Sequence, residues 1–409
     1  MTLTTRVKEA FPIFSNLETA HLPFHYLDNA ATTHKPQCVI DAISCAYASD
    51  YGPVARGLYP LAESATTYFE TARETVAQFI GATSDTVIFT SGATSSLNMV
   101  AEYGVKPFVK PGQEIWVGQA EHHANYLPWL RVCEQTGAKL KILEIDTEGK
   151  LVVPSFDAID AGQVACIALS LVSNVLGCYS NIALIIKRAK AHGIATVVDA
   201  AQAVVTEIID VSEIGCDFLA FSAHKMFGPT GIGVLYASAE YIERMHPMLL
   251  GGGMVEWVGK NYSDSSWVSG VQGFEAGSPN LVGAIGLKSA VEFIEGLDRQ
   301  KLKEQVSQLA INCAVKISAL SGYNVIGTEE NWRAGIVTFV HDTVHPHDIA
   351  QVCADNGVAI RAGHHCAQPL MEALGYGATA RASFSIYNDQ SDIDALIDSL
   401  KQAAEIFAL

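Results

Sequence analysis

No run of about 18 apolar residues occurs in this sequence, so no membrane-spanning helix is expected, although the mean hydropathy is +0.21 and hydrophobic residues make up 49%. The opening stretch MTLTTRVKEAFPIF lacks the apolar segment of a secretory signal. Basic residues are scarce, with 26 Lys and Arg against 43 Asp and Glu and a net charge of -17. Binding nucleic acid requires a basic face, so neither nucleic acid nor a membrane is expected as a partner. The nine cysteines include no CxxC pair, which argues against a disulfide framework or a zinc ribbon and for reduced thiols in the cytoplasm. Internal repeats and low-complexity tracts are absent as well. What remains is 409 residues of well-mixed composition, enough for a large core and two domains.

The stretch FSAHKMFGPTGIGVLY, residues 221–236, organises the rest. An apolar run leads in, Lys225 sits between His224 and Met226, a Gly/Pro turn follows, and GIGVLY reads as a second buried strand. A lysine met alone is a surface residue. One held at the mouth of a sheet loses water, its pKa falls, and it can form an imine with an aldehyde. Upstream, AHGIATVVDAAQA reads as a helix end, a buried β-branched strand, and Asp199 where that strand gives out, with Gln202 three residues on. Ligands of open α/β sheets gather at the carboxyl ends of strands, so Asp199 and Lys225 are expected to face one crevice. A carboxylate and an imine-forming lysine so placed make a pyridoxal phosphate site, the acid keeping the ring nitrogen protonated.

Further strands and helices alternate along the chain, which predicts a mainly parallel sheet of βαβ units. Helices are expected over 36–51, 64–80, 184–192 and 392–407, the last amphipathic. TVIFTSGATSSLNMV reads as strand, Gly turn and a helix starting near Thr94, either an anion cradle or a simple cap. EIWVGQAEHHANYLPW is expected to be a strand ending at His122, where His122 and His123 would point to opposite faces and so not share a metal. VACIALSLVSNVLG is expected to be a buried strand ending at Ser173 and Asn174, although an asparagine there also suits a plain turn. HDTVHPH, with His341, His345 and His347, has no cysteine or carboxylate shell and reads as a polar loop, so no metal is expected. GVAIRAGHHCAQPLM places Cys366 beside two histidines. A lone cysteine is usually a packing residue, whereas positive neighbours favour the nucleophilic thiolate.

These segments together resemble the fold type I pyridoxal phosphate enzymes over nearly the whole chain, and specifically the group II cysteine desulfurase and selenocysteine lyase family of the class V aminotransferase type. YLDNAAT, SNVLG, the Asp199 and Lys225 strands and RAGHHCAQP carry the likeness. The resemblance implies a large domain, 25–285, with a seven-stranded, mainly parallel sheet. A smaller α+β domain, 1–24 with 286–409, would carry the cysteine loop. It further implies that His122 stacks on the pyridine ring, Asn174 lies near the cofactor hydroxyl and the substrate carboxylate, and Gln202 bonds the phenolic oxygen. Thr94, Ser222 and His224 would contact the phosphate. Ser278, where family members carry a threonine, would reach the phosphate of a neighbouring subunit, making the protein a homodimer. Arg381, assisted by Arg361, would clamp the substrate carboxylate. The chain departs from the pattern where Ala55 replaces a histidine next to Arg56, itself a candidate at the site rim, and where Ala93 and Ser95 replace a threonine and an acid.

The activity so implied is the removal of sulfur from L-cysteine, with Lys225 moving the α-proton and Cys366 taking the sulfur as a persulfide. That persulfide would pass to a sulfur-acceptor protein, as in iron–sulfur cluster assembly, and the acidic surface favours an acceptor with a basic face. Selenocysteine and cysteine sulfinate offer the same kind of β-leaving group. Two other classes remain alternatives: a pyridoxal enzyme with different chemistry, such as an epimerase or a kynureninase-like hydrolase, and a non-catalytic sulfur-assembly protein.

Overall fold

The computed structural model describes residues 7–19, 24–55, 57–146, 149–156, 162–178, 180, 182–327 and 334–407. Arg56 lies outside them. Its centre is a seven-stranded sheet made of β1 Val87–Thr90, β2 Glu114–Gly118, β3 Lys139–Leu143, β4 Val164–Ser170, β5 Ala195–Asp199, β6 Phe218–Ser222 and β7 Gly233–Ala237. The strands lie in the order β1-β7-β6-β5-β4-β2-β3. All neighbours pair parallel except β7, which runs antiparallel to both β1 and β6.

The sheet is covered on both faces, which is why its strands read as near-continuous apolar runs. Side chains alternate across the pleat. Ile115 and Val117 of β2 pack on one side with Trp129 and Val132 of the helix Leu127–Thr136. Trp116 packs on the other, in the core that also takes Phe69, Ile186 and Leu287 from the helices Pro60–Phe79, Ile182–Ala191 and Leu281–Glu295. The helices expected from the sequence start and stop within a few residues of their bounds: Gln37–Ser49 for 36–51, Pro60–Phe79 for 64–80, Ile182–Ala191 for 184–192 and Gln390–Phe407 for 392–407.

Two strands are shorter than the sequence suggests. β2 stops at Gly118, and His122 and His123 belong to a turn, not to a strand. They therefore do not face opposite sides of a sheet, and their rings lie 6.3 Å apart at 46°. β4 stops at Ser170, leaving Ser173 and Asn174 in the loop beyond. In both cases backbone pairing with β5 or β3 ends where the chain must turn toward the sheet edge.

A second sheet of four antiparallel strands follows: β8 Tyr323–Ile326, β9 Ile336–His341, β10 Arg361–Gly363 and β11 Thr379–Ser383, ordered β8-β9-β11-β10. The helix Gln390–Phe407 closes over it with Ile393, Leu396, Ile397, Leu400 and Ala403, a stripe at helical spacing. Strand His25–Tyr26 pairs in parallel with Val358–Ala359, and Asp28 bridges to Ser383. The segment that opens HYLDNAAT is thus stitched to the C-terminal sheet.

One glycine is dictated by the packing. Gly233 of β7 lies opposite both Thr90 and Ser222. A Cβ there would stand 2.4 Å from the Gly92 Cα and 2.8 Å from the Phe221 carbonyl oxygen. Only glycine lets the turn after β1 come down beside β6.

Candidate active site

The carboxyl ends of β1, β2, β4, β5 and β6 meet at one edge of the sheet. A cavity of about 210 Å³ opens there, lined by Thr94, His122, Ser170, Asn174, Asp199, Gln202, Ser222, His224 and Lys225 on the sheet side. Arg361, His365, Cys366 and Arg381 close it from the four-stranded sheet. Of the residues singled out from the sequence, Ser278 is absent from this cavity. It lines a separate cleft of about 640 Å³ with Ala55, Glu275 and the glycine-rich segments around Gly253 and Gly277.

Lys225 follows β6 by one short turn, Ala223–Lys225. Among the described residues its Nζ makes no hydrogen bond or ion pair, and loss of water lowers its pKa to about 8 against the pull of Asp199. Asp199 is the last residue of β5 and is buried. Its Oδ1 accepts from the Ala201 amide at 2.9 Å. Burial raises its pKa, while that bond and Lys225 hold it down. His122 uses Nδ1 as an acceptor for the Ala124 amide at 3.1 Å. Burial, with Lys225, His123 and Arg381 nearby, lowers its pKa to about 4, so the ring is neutral and carries its proton on Nε2.

At the hydroxyl-rich end, Ser222 Oγ accepts from the Ala93 amide at 2.8 Å, and Thr94 stands in the first turn of the helix Ala93–Met99. His224 Nδ1 lies 3.1 Å from Thr32 Oγ1, and burial beside Lys225 and Lys35 takes its pKa to about 4. Gln202 Nε2 donates to the Ala30 carbonyl at 2.8 Å. Ala55, where the resembled family carries histidine, has a left-handed backbone (φ +77°) and lies outside this cavity. Ser95 is half-buried in the same first turn as Thr94.

The opposite wall is built from β10, β11 and the loop between β10 and the helix Gln368–Leu374. Arg361 and Arg381 are cross-strand partners, an arrangement that repels unless an anion intervenes. Asp28 supplies that anion, accepting from Arg381 NH2 at 3.1 Å and from Arg361 Nε at 3.2 Å. Arg381 is buried, and its NH1 donates to the Asn174 carbonyl at 2.8 Å while its Nε has no partner among the described residues. Cys366 is exposed at the cavity rim in a turn where both His365 (φ +52°) and Cys366 (φ +56°) are left-handed. The turn is pinned: the His123 amide donates to the Cys366 carbonyl at 2.7 Å and Asn174 Nδ2 to the His365 carbonyl at 2.7 Å.

Sequence reasoning missed Asp28 and Glu121; His365, read as a positive neighbour of Cys366, is instead buried, and loss of water beside Arg381 lowers its pKa to about 3. Asp28 lay inside the YLDNAAT segment, but its arginine partners are more than 300 positions away. It also missed Arg73, buried under the loop that carries Ser278 and bound to both carboxylate oxygens of Glu275, at 2.6 and 2.8 Å.

A desolvated lysine with a free Nζ, set beside a buried carboxylate at neighbouring strand ends of such a sheet, defines a fold type I pyridoxal phosphate enzyme; the donor set fits the group. The class V aminotransferase family model matches residues 25–396. Proteins named probable cysteine desulfurase are similar over the full length: 42% identity in Halalkalibacterium halodurans and 40% in Vibrio cholerae, each over 98% of both chains. Among solved structures, the cysteine desulfurase CsdA of Escherichia coli in its S-sulfonic acid form superposes with a TM-score of 0.89 at 37% identity. The apo cysteine desulfurase of Thermococcus onnurineus gives 0.91 at 34%; both alignments cover 99% of each chain. The chain belongs to the class V aminotransferase family and, within it, to the pyridoxal phosphate-dependent cysteine desulfurases. No helix among the described residues is long and apolar enough to cross a membrane.

Proposed function

We propose that the chain takes sulfur from L-cysteine onto Cys366 and leaves L-alanine, with each wall of the cavity serving one half of the reaction. The cofactor, when bound, supplies an aldehyde carbon and an electron-accepting ring. Lys225 would carry the bond to that aldehyde and, once displaced by substrate, serve as the amine that takes the α-proton. Its pKa of about 8 suits a base at neutral pH. Asp199 would hold the ring nitrogen, neutral His122 would lie over the ring, and Gln202 and Asn174 would stand by its oxygen. Thr94, Ser222 and His224 would hold the phosphate. Arg381, with Arg361 and Asn174, would bind the substrate carboxylate. Cys366 thiolate attacks the substrate sulfur; the S–S bond forms as the C–S bond breaks, and the carbon skeleton takes up protons to leave as alanine. The resulting persulfide is discharged to a sulfur-acceptor protein. Selenocysteine and cysteine sulfinate fit the same scheme, and the pinned position of Cys366 at the cavity rim favours a substrate with an attackable β-sulfur or selenium.

The observation that carries this reading is the placement of Lys225, Asp199 and Cys366 around one cavity. Mixing loaded Cys366→Ala with L-cysteine tests it: the cofactor spectrum should still change while persulfide and sulfide disappear. Undiminished sulfide release would remove Cys366 from the reaction.

We also read residues 25–285 as the cofactor domain and 1–24 with 286–409 as the second domain, the cavity lying where they meet. A homodimer is proposed from the second cleft, which holds Ser278 away from its own cavity. Exposed Leu249, Leu250, Trp257, Val258 and Tyr262 support it. Light scattering at micromolar concentration should give twice the chain mass. With all nine cysteines free, a cytoplasmic location is in keeping.

A further inference from the structure

Behind the cavity wall lies a buried carboxyl group that the scheme above leaves unused. Glu121 is 3% exposed. It turns back under the end of β2, so that a Cβ on Gly118 would stand 2.7 Å from its Oε1. Three groups surround it. The Ser170 amide donates to Oε1 at 2.9 Å. Asn125 Nδ2 donates to Oε2 at 2.6 Å, an orientation fixed because Asn125 Oδ1 accepts from the donor-only Trp129 Nε1 at 3.1 Å. The Ser170 hydroxyl lies 2.5 Å from Oε2. Each carboxyl oxygen thus faces one obligate donor, and the Ser170 hydroxyl is the one partner able to reverse. Ser170 lines the cavity and is the β-register partner of Asp199.

We propose that Glu121 is a positioning residue: through the reversible hydroxyl of Ser170 it sets whether the cavity wall beside Asp199 offers a hydrogen-bond donor. With Glu121 ionised, Ser170 O–H points at Oε2 and is spent there. With Glu121 protonated from solvent, its own O–H donates to Ser170 Oγ, and the serine hydrogen turns toward the cavity, on the face of the sheet where its register partner Asp199 also stands. A donor on Asp199 weakens its hold on a protonated ring nitrogen, and neutral Glu121 removes a negative charge from the same region, so both changes act in one direction.

Burial pushes the Glu121 carboxyl up to about 7 against the bonds from Ser170 and Asn125, and Asp199 adds to the rise, so both states are populated near neutrality. The titratable groups facing it are Asp199 from β5 and Cys178 from the loop after β4. His122 is its chain neighbour and Lys225 lies beyond Asp199.

The inference rests on the cavity taking pyridoxal phosphate, and the test separates the two. In the cofactor-free protein, difference infrared spectroscopy should show a protonated carboxyl band titrating near pH 7 that is missing in Glu121→Gln. Glutamine is uncharged at every pH, so whatever offset its amide adds against the obligate donors is the same at pH 6 and pH 8. The ratio of the cofactor dissociation constant of Glu121→Gln to that of wild type should therefore rise by about tenfold from pH 6 to pH 8, the effect of one charge-assisted hydrogen bond. Lys225 and His122 titrate in both proteins and cancel in that ratio. In a Ser170→Ala background that ratio should differ by no more than about twofold between pH 6 and pH 8. A ratio that does not move with pH would overturn the proposal, as would a step that persists without the serine, since Glu121 would then act by charge alone. Failure of wild type to take up the cofactor would instead overturn the reading of the cavity itself.

Discussion

The two walls of the cavity are built on different terms. On the seven-stranded side the working groups end buried strands, and desolvation governs them: Lys225 falls to about 8, His122 to about 4, and Asp199 rises. On the four-stranded side Cys366 is exposed, while its backbone is fixed by hydrogen bonds from His123 and Asn174 across the cavity. One wall tunes protons by keeping water out. The other keeps a thiol reachable from outside, as the proposed delivery of sulfur to a second protein requires, and restrains it through the main chain rather than by burial.

Breaking the first wall should have the largest effect. Lys225→Ala should lower alanine formation by about 10³-fold or more, within the range of a lost general base plus a lost covalent anchor; a steady-state alanine assay checks it. On the second wall, Arg381→Lys keeps the charge but loses the planar fork that Asn174 and Asp28 orient. KM for L-cysteine should rise about 10- to 100-fold, with kcat less affected. The comparison sharpens with pH. Below about 8 Lys225 is an ammonium and above it a free amine, so the rate of cofactor capture by apo protein, followed by absorbance, should climb through a midpoint near 8. An unperturbed lysine would give a midpoint near 10.4. Smallest in functional terms, Gly233→Ala forces a Cβ against Gly92 and should cost about 1–3 kcal/mol of stability by overpacking, read in thermal denaturation.

The first wall was largely legible in the sequence because strand-end chemistry is local. TVVD followed by AAQ places Asp199 and Gln202, and FSAHK places Lys225, through nothing more than an apolar run giving out. The second wall was legible only through a family likeness around RAGHHC, since nothing local in that loop fixes its direction. Least legible were the groups that act through partners far along the chain. Asp28 meets its arginines across more than 300 positions, and Glu121 meets Ser170 across 49. The same long-range bonds explain the strand ends placed too late. The turn after Gly118 bends so that Glu121 can reach back under β4, and no periodicity before His122 announces it.

The central claim, that Lys225 is the group joined to the cofactor within reach of Asp199, is tested most directly by chemistry at one side chain. Protein loaded with pyridoxal phosphate, reduced with borohydride and digested should show the pyridoxyl mass on the peptide containing Lys225. A label found only on other lysines, or none at all after full loading, would contradict the account.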